Sequence, residues 1–152
     1  MILEYTSEPY ANFKPFRANP SDAGLDLPFN PEDGKDVRIR PGESHLLDTG
    51  LRFAIPHGYM LEIKNRSGMA FKRSLVVGAC VVDSGYEGKV FVNLHNIGTF
   101  DQLINPGDRI AQGVVIPVVH ARFVEAANSL DWYPITISGR GEGALGSTDE
   151  KA

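Results

Sequence analysis

The stretch Val37-Arg38-Ile39-Arg40-Pro41-Gly42, followed by Leu46-Leu47, Asp48-Thr49-Gly50, Leu51-Arg52-Phe53-Ala54-Ile55, Pro56-His57-Gly58 and Tyr59-Met60-Leu61-Glu62-Ile63, decides the fold. Val37 to Arg40 alternates apolar and charged, the period of a strand with one buried face, and each later apolar run is cut short by a turn cluster. Short strands at this spacing imply a sandwich, a barrel or a jelly roll. Asp48-Thr49-Gly50 and Pro56-His57-Gly58 read as turns between strands.

Working outward toward the N-terminus, residues 1–6 read as a short strand. Residues 7–24 hold Pro9, Pro15 and Pro20 and read as an irregular crossing without helix. Leu25-Asp26-Leu27 begins another strand, and Asn30 to Asp36 forms a surface loop.

Toward the C-terminus one short helix is expected near Ser67, whose hydroxyl would cap Gly68-Met69-Ala70-Phe71-Lys72-Arg73 and whose position suits a phosphate. Val81-Val82-Asp83-Ser84-Gly85-Tyr86-Glu87-Gly88, leading into Lys89-Val90-Phe91-Val92-Asn93-Leu94-His95, reads as a hairpin. Pro106-Gly107-Asp108 turns into a buried strand from Arg109 to Ile116. Gln112 interrupts that strand and needs partners, and Pro117 ends it or places it at an edge. Val118 to Val124 is a last apolar segment. From Ser138 the chain is too rich in glycine to form a packed strand.

The 152 residues, 42% of them hydrophobic, suit one domain with a real core. No apolar run reaches the length of a membrane span, and no basic region precedes the short apolar start, so a cytoplasmic protein without membrane contact is expected. Cys80 is the only cysteine, which excludes an intrachain disulfide. No Cys/His cluster has zinc spacing, and the four histidines read as surface or structural groups. A formal net charge of −4 argues against a nucleic-acid surface. An anionic ligand would be held by a few focused arginines and backbone amides.

The segment around Asp83 offers a carboxylate, backbone groups near a bend that suit a base edge, and the Tyr86 ring to pack on a sugar. On its own it reads better as a surface hairpin whose Asp bonds the turn backbone. The glycine-rich tail also has two readings. By composition it is a disordered terminus. Alternatively it is an arm closing over an anion with its amides, the Arg140 fork, and the Ser147 and Thr148 hydroxyls.

The set and order of motifs resolve this. Ala23-Gly24-Leu25-Asp26-Leu27, Arg66-Ser67-Gly68-Met69-Ala70, Val81 to Gly88, Pro106-Gly107-Asp108-Arg109-Ile110-Ala111-Gln112, and Arg140-Gly141-Glu142-Gly143-Ala144-Leu145-Gly146-Ser147-Thr148 together resemble the five ordered motifs of the trimeric dUTPase family. The resemblance implies an all-β jelly-roll (β-clip) subunit over residues 1–137, with one short helix, and an arm over residues 138–152 that closes on a neighbouring active site. It implies a homotrimer with shared sites that hydrolyses dUTP to dUMP and pyrophosphate by water attack on the α-phosphorus. Such an activity limits uracil incorporation into DNA and supplies dUMP. Magnesium would be held through the triphosphate and water, with no side-chain metal ligand.

In that scheme Asp83 orients and deprotonates the water. Tyr86 packs on the deoxyribose, while Cys80, Val82 and Phe91 surround uracil. Arg66, Ser67, Gly68 and Gln112 bind phosphates. Arg140, with Leu145, Gly146 and Ser147, meets the substrate on closure. Asp26 orients an arginine or a magnesium-bound water, or else makes a structural hydrogen bond. Asp108 and Arg109 form a structural pair.

Three positions depart from the family pattern: Cys80 stands where glycine is usual, Ala144-Leu145 where Gly-Phe is usual, and Asn65 where proline precedes the arginine. The substitutions near the base put the strictness of uracil selection in question and spare the phosphate clamp. A dCTP deaminase of the same fold would carry a glutamate where Asn93 stands. The alternative from another class is a dUTP-binding regulator with weak or relaxed hydrolysis.

Overall fold

The computed structural model describes residues 1–127. In chain order the elements are β1 (Glu4–Ser7), β2 (Leu25–Pro28), β3 (Val37–Ile39), β4 (Ser44–Ala54), β5 (Tyr59–Lys64), α1 (Ser67–Arg73), β6 (Leu75–Val77), β7 (Val81–Asp83), β8 (Val90–Asn96), β9 (Gln102–Ile104) and β10 (Arg109–Pro117). All lie in one compact unit, Met1–His120. The strands form two four-stranded sheets, β1-β4-β8-β6 and β2-β10-β5-β7, with β3 and β9 as a separate pair. This is the all-β jelly roll that the family resemblance implied, one of the three architectures the strand pattern left open. β8 shows the alternation most plainly: Val90, Val92, Leu94 and Asn96 are buried, while Phe91, Asn93 and His95 between them are half-buried. Val90, Val92 and Leu94 join Leu27, Leu47, Leu51, Leu61, Ile104 and Ile110 in one core drawn from both sheets.

Asp48-Thr49-Gly50 does not separate two strands. It is a bulge inside β4: Asp48 pairs with Phe91 and Leu51 with Val90, so the residues between have no partner. The same side chains that favour turns satisfy the bulge. The Asp48 carboxylate accepts the Gly50 N–H at 2.7 Å, and the Thr49 hydroxyl donates to the Val90 carbonyl at 2.6 Å. The Asn30 amide donates to the Thr49 carbonyl at 2.7 Å. Gly50 has φ +62°, and a Cβ there would meet the Ala11 methyl at 2.6 Å, so glycine is required on two counts.

The expected hairpin around Asp83 is also different. β7 pairs with β5, placing Asp83 opposite Met60, whereas β8 pairs with β4 and β6 in the other sheet. The turn chemistry is present, since the Asp83 carbonyl accepts the Tyr86 N–H at 3.3 Å. Both edges of β8 are already occupied, however, so β7 pairs elsewhere and the chain changes sheet at Asp83.

The helix occurs where expected, but Ser67 does not cap it. Arg66 is the N-cap, in extended conformation and without a side-chain cap bond. Ser74 ends the helix in the left-handed region, its N–H directed to the Ala70 and Met69 carbonyls. Pro117 closes β10, which lies inside its sheet between β2 and β5. Beyond it, the described part of the last apolar segment forms no strand, and Val119, Phe123 and Val124 are exposed.

Candidate functional site

At the sheet switch, Cys80, Val82, Asp83, Tyr86, Lys89 and Phe91 line a pocket of about 250 Å³. Other aspartates show how such a side chain behaves in a turn. Asp22, Asp33, Asp48 and Asp108 each accept a nearby backbone N–H, at 2.9, 3.0, 2.7 and 3.0 Å. Asp83 does not: the turn is closed by its carbonyl, and its exposed carboxylate takes no hydrogen bond or ion pair from a described residue. A carboxylate that lines a pocket with its oxygens uncommitted is suited to bind and deprotonate water.

The Tyr86 hydroxyl donates to the Lys89 carbonyl at 3.0 Å, which fixes the ring. The ring lies against Gly88, where any Cβ would collide with the phenol. The closing glycine of the motif is thus a steric seat for the tyrosine. Cys80 lends its carbonyl to the Ile63 N–H at 2.7 Å, and its half-buried side chain packs on the core while lining the pocket. Phe91 is half-buried on the outward side of β8.

A second cluster gathers on the other side of β5. Asp26 on β2 lies opposite Gln112 on β10. The Asp26 carboxylate receives the Arg66 Nε–H at 2.8 Å and stands 3.6 Å from Arg109 Nη1. Arg66 also donates through Nη1 to the Arg109 carbonyl at 2.7 Å. Asp26 thus makes a hydrogen-bonded ion pair with Arg66. Ser67 and Gly68 follow, both exposed. Gln112 is half-buried rather than buried, and its amide donates to the Asn65 carbonyl at 2.9 Å. Its side chain fills the space that a Cβ on Gly24 would take, so the first and fourth motifs interlock. Asp108 and Arg109 do not pair with each other: Asp108 stands 3.5 Å from Arg73, and Arg109 lies over the Phe16 ring at 4.1 Å.

The two clusters are not adjacent within one chain. Asp83 is registered opposite Met60 and Gln112 opposite Lys64. At about 3.4 Å per residue along β5 and about 4.8 Å per strand step, the two backbones lie roughly 16 Å apart. Arg140, Leu145, Gly146 and Ser147 lie outside the described residues.

Several contributors were not visible in the sequence. Asn65, in the place of a proline, accepts the Val77 N–H with its side chain at 2.6 Å and holds Gln112 with its carbonyl. His57 and His120 stack with ring centres 4.9 Å apart. Lys89 donates to Asp48 at 2.7 Å and to Tyr10 at 2.8 Å. The Asp48 carboxylate, and after it the Tyr10 hydroxyl, hold the Lys89 ammonium well above the ordinary lysine range, with burial opposing. Burial raises the Tyr10 phenol in turn, with the lysine hydrogen bond opposing. No sequence signal linked positions so far apart, although Asp48 in Asp48-Thr49-Gly50 was a visible turn former.

With this geometry in place, similarity to known proteins becomes decisive. The family model described as dUTPase matches residues 13–142. This chain belongs to the dUTPase family. The deoxyuridine 5'-triphosphate nucleotidohydrolase of Anaplasma marginale is 40% identical over 140 residues, covering 88% of this chain and 87% of the relative. The enzyme of the same name from Roseobacter denitrificans is 44% identical over 128 residues, covering 83% of this chain and 80% of the relative. Among solved structures, the Staphylococcus bacteriophage 80alpha dUTPase with the analogue dUpNHpp superposes with a TM-score of 0.82 at 24% identity, over 96% of this chain and 97% of that one. The dUTPase of phage phi11 of S. aureus gives 0.77 at 23% identity, over 84% and 97%. The overall fold described above is thus that of the dUTPase structures.

Proposed function

We propose that this member of the dUTPase family hydrolyses dUTP to dUMP and pyrophosphate, with water attacking the α-phosphorus. The observation that carries the mechanism is the uncommitted Asp83 carboxylate lining a base-sized pocket, in contrast to the turn-bonded aspartates elsewhere. Asp83 takes the proton of the attacking water. Main-chain groups at Cys80 and Val82 and the Phe91 side chain surround uracil. Tyr86 packs on the deoxyribose and excludes a 2′-hydroxyl. Arg66, already oriented by Asp26, binds phosphate oxygens together with Ser67, Gly68 and Gln112. Arg140, Leu145, Gly146 and Ser147 close over the substrate from the arm, residues 138–152, of a neighbour.

The separation of roughly 16 Å between the Asp83 corner and the Gln112 strand favours a homotrimer in which different chains supply the two ends of each site. Magnesium would be held through the triphosphate, whose hard oxygens it prefers, rather than by a dedicated set of side chains. When bound, it neutralises phosphate charge and orients the chain for in-line attack. Among the described residues no group of three or more His, Cys, Asp or Glu side chains is placed to hold a metal ion. No helix among them is long and apolar enough to cross a membrane. We place the enzyme in the cytoplasm, acting on free nucleotide rather than nucleic acid.

The test is pyrophosphate release from dUTP, dCTP, dTTP and UTP side by side with magnesium. Turnover of dUTP is expected, and release from none of the four defeats the proposal. Sedimentation is expected to show a trimer; a fully active monomer contradicts the shared site.

A further inference from the structure

The groups that touch a nucleoside at the Asp83 corner are held by contacts that the five motifs do not contain. Lys89 stands between the sheet switch and β8. Its ammonium donates to Asp48 Oδ2 at 2.7 Å and to the Tyr10 hydroxyl at 2.8 Å, and Tyr10 donates to the same carboxylate oxygen at 2.7 Å. These three residues come from the irregular N-terminal crossing, the β4 bulge and the position just before β8. The nitrogen also lies 5.3 Å from the centre of the Phe91 ring and 5.4 Å from that of Tyr10, within range of cation–π attraction. The carbonyl of the same residue accepts the Tyr86 hydroxyl at 3.0 Å. One residue thus touches both aromatic rings of the pocket it lines.

We propose that Lys89 is a positioning residue for nucleoside recognition: clamped by Asp48 and Tyr10, it sets the Phe91 ring through its ammonium and the Tyr86 ring through its carbonyl. The cation is not free to serve as a phosphate ligand. Its side chain is 24% exposed, that of Asp48 is 14% exposed, and two of its three N–H donors are committed. Asp48 is itself fixed, because its other oxygen accepts the Gly50 N–H within the bulge. The clamp is therefore anchored to a backbone feature rather than to another mobile side chain. This specific geometry distinguishes it from an exposed ion pair that solvent would screen.

The inference rests on the placement of uracil and deoxyribose at this corner, and its test separates the two claims. Steady-state kinetics on dUTP would be compared for the wild-type protein, Lys89→Met, Lys89→Arg and Tyr10→Phe, each also inhibited by deoxyuridine and by inorganic pyrophosphate. In Lys89→Met, loss of the charge-assisted contacts is expected to raise KM about tenfold with kcat within about twofold. Inhibition by deoxyuridine should weaken by a similar factor while inhibition by pyrophosphate is unchanged. Tyr10→Phe, which keeps the ring and removes the hydroxyl's two hydrogen bonds but leaves the Lys89–Asp48 contact, should shift the same two quantities by about two- to threefold. Lys89→Arg should recover part of the loss.

Equal weakening of both inhibitors, or a fall in kcat with KM unmoved, overturns the positioning role. If Lys89→Met does not fold, Tyr10→Phe decides by the same pair of inhibitors. A wild-type protein inert on dUTP would instead defeat the proposed function itself.

Discussion

Asp26 and Asp83 are the same side chain at the two ends of the candidate site, and they are used in opposite ways. Asp26 is held between Arg66 at 2.8 Å and Arg109 at 3.6 Å, so its charge is consumed in pairing with cations. Asp83 stands exposed at the end of β7 with its oxygens open to solvent. The difference lies in commitment and exposure together: the Asp26 oxygens are half-buried and bound to cations, whereas those of Asp83 are exposed and take no partner among the described residues.

Asp83→Asn would break this comparison most severely. It removes the base while keeping the shape, so pyrophosphate release is expected to fall by about 10²–10⁴. The melting temperature should hardly move, because an exposed substitution without lost contacts changes stability by less than about 0.5 kcal/mol. Retained nucleotide binding, measured by calorimetry, completes the signature.

Asp26→Asn should come next. Arg66 loses its charged partner, and kcat/KM is expected to drop about tenfold to a hundredfold, in line with one charge-assisted contact of about 1.5–3 kcal/mol. The fall should appear in the phosphate end, with pyrophosphate inhibition weakened and deoxyuridine inhibition preserved. A loss confined to deoxyuridine would reverse the assignment of the two ends.

Gly88→Ala should have a smaller and more selective effect. The added methyl displaces the Tyr86 ring from its seat, so the preference for dUTP over UTP is expected to narrow about tenfold, roughly 1.4 kcal/mol, in paired kcat/KM measurements.

The mildest effect concerns pH. Both Lys89 and Tyr10 have raised pKa values in the folded state, Lys89 first through Asp48 and Tyr10 first through burial. A raised folded pKa means that the stabilisation is complete below the unfolded values near about 10 and is lost as pH rises through the folded ones. The melting temperature should therefore stay unaffected by these groups near neutrality and decline above about pH 10. Lys89→Met should make that alkaline decline shallower, and an unchanged slope would show that the clamp does not contribute.

Local chemistry was read well from the sequence, and partner choice was not. Alternation at Val37 to Ile39 and along Val90 to Asn96 found strands because apolar burial imposes that period directly. Asp48-Thr49-Gly50 misled because a bulge and a turn require the same side chains. Asp83-Ser84-Gly85 made its turn, yet which strand β7 joins depends on which edges are already occupied, a property of the whole sheet. In the site, the motif residues were legible through their order, whereas the Asp26–Arg66 pair and the Lys89 clamp span 40 and 41 positions with no local pattern to mark them. Asn65 was read as a lost proline, and its gained side-chain bond to Val77 depends on a strand brought beside it only by folding.

The interlock of Gly24 with Gln112 has a consequence for variation at these positions. Because the glutamine occupies the volume of the missing side chain, Gly24 is not free to gain one while Gln112 stays in place. Gly24→Ala should be rejected beside Gln112 and accepted beside a shorter residue such as serine. Two stretches nearly ninety positions apart thus share a single steric allowance.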